Sequence, residues 1–118
     1  GFASAKFLKS MGAKVFITGK SERIKDRAKE LDCPYFVADL TKEQEVKNLI
    51  SEVKKAFGNL DVLVNNAGMT SVIDSPGAES GSIENTGLDK FISSVERNLV
   101  SAFLVTKESL DLLKKSKA

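Results

Sequence analysis

The sequence predicts an α/β fold: a parallel sheet covered by helices on both sides. Helix-like and strand-like segments alternate along the whole chain. The strand-like runs are almost continuously apolar instead of alternating, as expected when both faces of a strand are covered. A length of 118 residues suits one domain with one core, and the parallel crossovers should be right-handed.

Each element has its own signals. Phe7, Leu8 and Met11, with Ala3 and Ser4 a turn earlier, mark one helical face that ends at Gly12. Lys14 to Thr18 reads as a buried strand. Ser21 is an N-cap type before a helix carrying Ile24, Ala28 and Leu31 inward. Pro34 to Ala38 reads as a second strand that stops at Asp39. Thr41 and Gln44 have the spacing of a capping box, and the helix behind them aligns Val46, Leu49, Ile50, Val53 and Phe57 on one face before Gly58 closes it. Leu60 to Val64 is the third predicted strand and runs into Asn65-Asn66-Ala67-Gly68. Met69 to Gly87, rich in Gly and Ser and containing Pro76, reads as a loop. From Leu88 to about Lys115 the pattern is helical again, marked by Leu88, Phe91, Ile92, Val95, Leu99, Phe103, Leu110 and Leu113, with a break near Asn98.

Composition narrows the function classes. Eighteen basic and sixteen acidic residues leave a net charge of +2, which gives no reason to expect nucleic acid or an anionic membrane as partner. No apolar run reaches membrane-spanning length. The basic first 21 residues superficially resemble a transit peptide, but their pattern continues into a strand, which favours a folded helix. The absence of histidine removes histidine-based triads and most zinc sites, so no metal is expected. Cys33 is the single cysteine, so no intrachain disulfide can form. Its place before Pro34 suits a small packing residue. A cytoplasmic setting fits but is not demanded.

Four ordered features give the chain a family resemblance: Gly12-Ala13-Lys14-Val15 before the first strand, Asp39-Leu40-Thr41 after the second, Asn65-Asn66-Ala67-Gly68 after the third, and Arg97-Asn98-Leu99 followed by Ser101-Ala102-Phe103. In order and spacing the chain resembles the short-chain dehydrogenase/reductase family over essentially its whole length. That resemblance implies residues 1–118 as a partial NAD(P)-binding Rossmann domain: a doubly wound parallel sheet, incomplete, with the first strand and the C-terminal strands absent. The family's catalytic Tyr-x-x-x-Lys pair is absent too. The sole tyrosine, Tyr35, is followed four residues later by Asp39. The chain is therefore expected to be an internal fragment of an enzyme about twice as long. The first strand of such a sheet is central, so without it the runs 14–18 and 60–64 lose their shared neighbour and expose unpaired backbone groups.

The resemblance also assigns residues. Gly1 matches the last glycine of the nucleotide turn, where a helix N-terminus meets the pyrophosphate. Family members that prefer NAD usually carry an acid where Gly19 stands. Here Lys20 and Ser21 could instead meet a 2′-phosphate, so NADP is expected over NAD. Asp39 matches the acceptor of the adenine amino group, with Leu40 flanking the base. A plain Asx turn before the next helix is the structural alternative for Asp39. Asn65, Ala67 and Gly68 match the wall beside the adenine ribose, and the amides can also pin neighbouring elements. Asn98 matches the family's helix-kinking asparagine, whose main-chain carbonyl holds a water in the proton relay. It is the one catalytic residue expected in this chain. The loop 69–87 leaves a strand end, where ligands bind, and is either a substrate-side lid or a variable excursion.

The implied activity is interconversion of a small-molecule carbonyl and alcohol by hydride transfer, in a parent that forms a homodimer or homotetramer through the long final helix. The alternative is a non-catalytic nucleotide-binding or scaffold protein of the same fold. A methyltransferase is disfavoured because no acid stands near Gly19, and a receiver domain because no acidic pair precedes Gly1 and Asp61 opens its strand.

Overall fold

The computed structural model describes residues 1–68 and 81–117. In chain order it contains α1 (Phe2–Ser10), β1 (Ile17–Gly19), α2 (Arg23–Leu31), β2 (Tyr35–Val37), α3 (Glu43–Phe57), a 3-10 turn (Ile83–Asn85), α4 (Leu88–Val95), a π-helical segment (Glu96–Val100) and α5 (Ser101–Leu113). Residues 69–80 of the expected loop 69–87, read as a lid or a variable excursion, lie outside the described residues. Among these residues no helix is long and apolar enough to cross a membrane.

β1 and β2 pair in parallel, with Ile17 opposite Tyr35, Thr18 opposite Phe36 and Gly19 opposite Val37. Bonds from Ile17 N–H to the Pro34 carbonyl and from Ala38 N–H to the Gly19 carbonyl, both 3.1 Å, bracket the ladder. The strands are shorter than the runs 14–18 and 34–38 suggest, because a strand extends only as far as its ladder. The third predicted strand, 60–64, joins no sheet. Leu60 N–H instead reaches the Leu112 carbonyl of α5 at 3.3 Å, and no described strand lies alongside to take up the rest of the run.

The helices fall into two groups. α2 packs on both strands with α1 beside it, and α3 packs on β2 with α5 beside it. One core cluster gathers Ala38, Leu49, Val53 and Leu112 with Phe16, Phe36 and Phe57 around them, and a second gathers Val46, Leu104 and Val105. The predicted face of α3 is thus the buried one.

Two other predicted faces are not. Ala5 is the buried residue of α1, whereas Phe7 and Met11 are 65% and 72% exposed. α1 meets its neighbour through this small residue and through Phe2, whose ring lies 4.7 Å below the Arg27 guanidinium. Leu88, Phe91, Ile92, Leu99, Phe103 and Leu110 also face outward. The side of α5 that meets α3 is carried by Leu104, Val105, Ser109 and Leu112.

Helix ends follow local chemistry. Gly12 and Gly58 take positive φ after α1 and α3, which glycine does without steric cost. Asp32 closes α2 in the left-handed region at φ 48, and Lys9 fixes that turn by donating to the Asp32 carbonyl. Neither expected N-cap forms. α2 starts after Glu22 in place of Ser21, and α3 starts after Lys42 without a side-chain cap. Thr41 is drawn away from the cap by Asp39, and Gln44 bonds Asn48 one turn on.

Candidate functional site

Parallel pairing brings the C-terminal ends of β1 and β2 side by side, so Lys20 and Asp39 emerge together. Lys20 Nζ lies 2.9 Å from Asp39 Oδ2, with the lysine side chain 77% exposed and the aspartate 14%. Asp39 is fixed from two sides. Its Oδ1 accepts the Thr41 hydroxyl at 2.7 Å and the Thr41 N–H at 3.1 Å, and its own N–H donates to Glu45 Oε2 at 2.7 Å. The Lys20 ammonium first, and then the Thr41 donors, pull the Asp39 carboxyl down to about 2. The Asx turn from Asp39 to Thr41 is therefore present, and it aims the second carboxylate oxygen at Lys20. Glu45 is also held below the usual carboxylate range, by the Asp39 N–H and by Lys42.

Ser21 and Leu40 flank this pair. The Ser21 carbonyl accepts the Ile24 N–H at 3.1 Å, and its hydroxyl accepts Arg23 Nε at 3.5 Å. Leu40 is half-buried and packs against both core clusters, which ties the segment after β2 to the core. A Cβ built on Gly19 would meet Ile24 at 3.4 Å, an ordinary contact.

The second group forms around Asn65-Asn66-Ala67-Gly68. Asn65 Nδ2 donates to Thr106 Oγ1 of α5 at 2.9 Å, so the first amide pins the segment to a helix. Ala67 is exposed. A Cβ on Gly1 would lie 2.8 Å from Asn66 Nδ2, and a Cβ on Gly68 would lie 2.7 Å from Asn98 Oδ1. Both glycines thus sit where no side chain fits without movement, and they bring the start of α1, the amide motif and the π segment into one place.

Asn98 lies at the centre of that π segment. Its Nδ2 donates to the Ser94 carbonyl at 3.0 Å, and Ser101 Oγ donates to the Arg97 carbonyl at 2.6 Å. Side chains that return to the carbonyl four residues back compete with the main chain for that acceptor. The Ser101 N–H accordingly reaches back five residues to Glu96, the wider register that gives a π turn. The break expected near Asn98 is therefore present, with a local cause.

Sequence reasoning missed the partners: Glu45 behind Asp39, Thr106 beneath Asn65, Ser94 beneath Asn98. Glu45 alone had a local signal, since it is the third residue of α3, where a carboxylate can reach back past the helix start. Tyr35 and Cys33 lie at the other end of the ladder, on a shallow depression of about 500 Å³ with Lys25, Lys29 and Pro34. Burial pushes the Cys33 thiol up, away from reactivity. Among the described residues no cluster of three potential metal ligands occurs.

A family model described as short chain dehydrogenase matches residues 1–118. L-fucose dehydrogenase of Bos taurus is 36% identical over 109 residues, which are 90% of this chain and 37% of that protein. The structure of an actinorhodin polyketide ketoreductase with NADPH superposes with a TM-score of 0.82 at 29% identity, covering 94% of this chain and 42% of that one. The Pseudomonas aeruginosa RhlG/NADP active-site complex gives a TM-score of 0.82 at 26% identity, covering 100% and 46%. The chain thus spans about two-fifths of the length of the relatives it matches.

Proposed function

Because the chain belongs to the short chain dehydrogenase family, we propose that its complete protein is an NADP-preferring oxidoreductase that interconverts a carbonyl and an alcohol. The observation that carries the reading is the Lys20–Asp39 pair at the adjoining C-terminal ends of two parallel strands, the edge at which such sheets bind ligands. An exposed ammonium there suits a 2′-phosphate, and a fixed carboxylate suits an amino group on the base. The absence of an acid at Gly19 favours the phosphorylated cofactor over NAD, which remains the lesser ligand.

The donor set fits such a dinucleotide. Lys20 and Ser21 hold the 2′-phosphate, and Asp39 with Leu40 holds the adenine. Gly1 leaves the N-terminus of α1 open to the pyrophosphate, while Asn65, Ala67 and Gly68 form the wall beside the ribose. When bound, the nicotinamide supplies or takes up the hydride. Asn98 serves the proton path, its main-chain carbonyl holding a water that connects to a lysine outside this segment. The acid–base pair itself comes from the rest of the complete protein, because Tyr35 stands at the opposite end of the ladder and has no lysine four residues later. On this reading the protein acts on small molecules in the cytoplasm, as a homodimer or homotetramer joined through the outward apolar side of α4 and α5.

The test is Lys20→Ala in the complete protein. Binding of NADPH is expected to weaken at least tenfold more than binding of NADH, the scale of one lost charge-assisted contact of about 1.5–3 kcal/mol. Equal losses for both cofactors would overturn the 2′-phosphate assignment.

A further inference from the structure

We propose that Asp39 limits the preference for the 2′-phosphate by occupying the cation that receives it. The inference rests on the reading of Lys20 given above and adds a specificity-determining role to its neighbour. Asp39 is the fixed member of the pair, because Thr41 holds one carboxylate oxygen through two donors and Glu45 holds the main-chain N–H. Lys20 is the mobile member, largely in solvent and 2.9 Å from the outward oxygen. A phosphate arriving at Lys20 either displaces that oxygen or shares the ammonium with it. In both cases the phosphate's negative charge comes close to a carboxylate that stays ionised.

Glu45 lies behind Asp39 with its charge partly answered by Lys42 at 3.2 Å, so the carboxylate facing the phosphate is that of Asp39. The same side chain that favours any adenine therefore works against the phosphate that distinguishes one dinucleotide from the other. NADH meets the first effect without the second.

The readout is the ratio of NADH to NADPH dissociation constants in the complete protein, measured by titration for wild type, Asp39→Asn, Lys20→Ala and the double variant. Asn at position 39 keeps an oxygen for the two Thr41 donors, and any loss of adenine binding is common to both cofactors and cancels in the ratio. An exposed ion pair is worth little, so the expected rise in the ratio for Asp39→Asn is about two- to fivefold. Lys20→Ala should lower the ratio about tenfold or more, and the rise produced by Asp39→Asn should be smaller in that background, where only the direct repulsion between carboxylate and phosphate is left to relieve. A collapse with Lys20→Ala but no rise with Asp39→Asn overturns the role of Asp39 and leaves the 2′-phosphate reading standing. An unchanged ratio with Lys20→Ala overturns both. A rise with Asp39→Asn that persists undiminished in the double variant overturns the route through Lys20.

Discussion

Asp39 answers to three partners, and the titration of its carboxyl reports on two of them, Lys20 and Thr41. Its carboxyl is held at about 2, below the ordinary 3.8, by Lys20 first and Thr41 second. A carboxyl with a lower pKa in the folded than in the unfolded state adds stability that is fully present above the unfolded value. That stability is lost as pH falls through the folded one. Asp39 therefore supports the fold down to about pH 4, and its contribution fades between there and about pH 2. In the complete protein, Lys20→Ala should raise the Asp39 pKa toward 3.8, with the Thr41 donors keeping it short of that value. A titration of the carboxyl carbon shift checks this, and an unmoved pKa would mean that the ammonium contributes nothing. Gly68 makes a second residue-scale prediction. Its Cβ would fall 2.7 Å from Asn98 Oδ1, and Asn98 is anchored on the Ser94 carbonyl. Gly68→Ala should cost at most about 1 kcal/mol of stability, read from the urea midpoint, because the tip of the exposed Asn98 side chain can turn aside at the expense of its bond to the Ser94 carbonyl. Asp39, Lys20, Gly68 and Asn98 could all be singled out from the sequence, but the partner on a distant element could not. Thr106 is 41 positions from Asn65, and only the docking of α5 decides that they meet.

At the scale of elements, legibility depended on how many apolar stripes a helix carries. α3 has one, so Val46, Leu49 and Val53 were identifiable as core from their spacing, and they are buried. Leu49→Ala should therefore cost about 2–5 kcal/mol in a denaturant titration, because it opens a cavity between β2, α3 and Leu112 of α5. Asn48→Ala, one residue away and exposed, should cost far less. The helix from Leu88 onward has two stripes. Periodicity singled out the one containing Leu99 and Phe103, whereas the stripe with Leu104, Val105 and Leu112 meets α3. Periodicity reports that a face is apolar, and tertiary packing decides what covers it. The run 60–64 shows the same limit in a strand. Its composition is that of a buried strand, yet strand structure is a property of two neighbours, and the ladder that would complete it is not among the described residues.

The whole molecule joins a well-packed half to an uncovered one. α3, β2 and α5 close around two clusters of buried residues. Phe7, Met11, Val62, Leu99 and Phe103 each remain more than half exposed, and β1 and the run 60–64 have no sheet between them. Exposed apolar side chains on this scale mark surfaces that something else covers. Residues 1–118 by themselves should then divide into two regimes of amide exchange. The amides of Leu49 and Ile50, inside α3, should be the slower set. Those of Val62, Leu63 and Val64 should exchange much faster, since the described main-chain bonds of this run are confined to its ends, Leu60 N–H to Leu112 and Asn66 N–H to Val64. The same preparation should show no NADPH oxidation with a panel of aldehydes and ketones, because Asn98 has no tyrosine–lysine pair to serve within it. In the complete protein the 62–64 amides should become protected, as a strand between β1 and this run would pair with both. Turnover by residues 1–118 alone would sink the proposal that the acid–base pair lies elsewhere. Equally slow exchange at 62–64 in both preparations would show that the run gains its partner from within the segment.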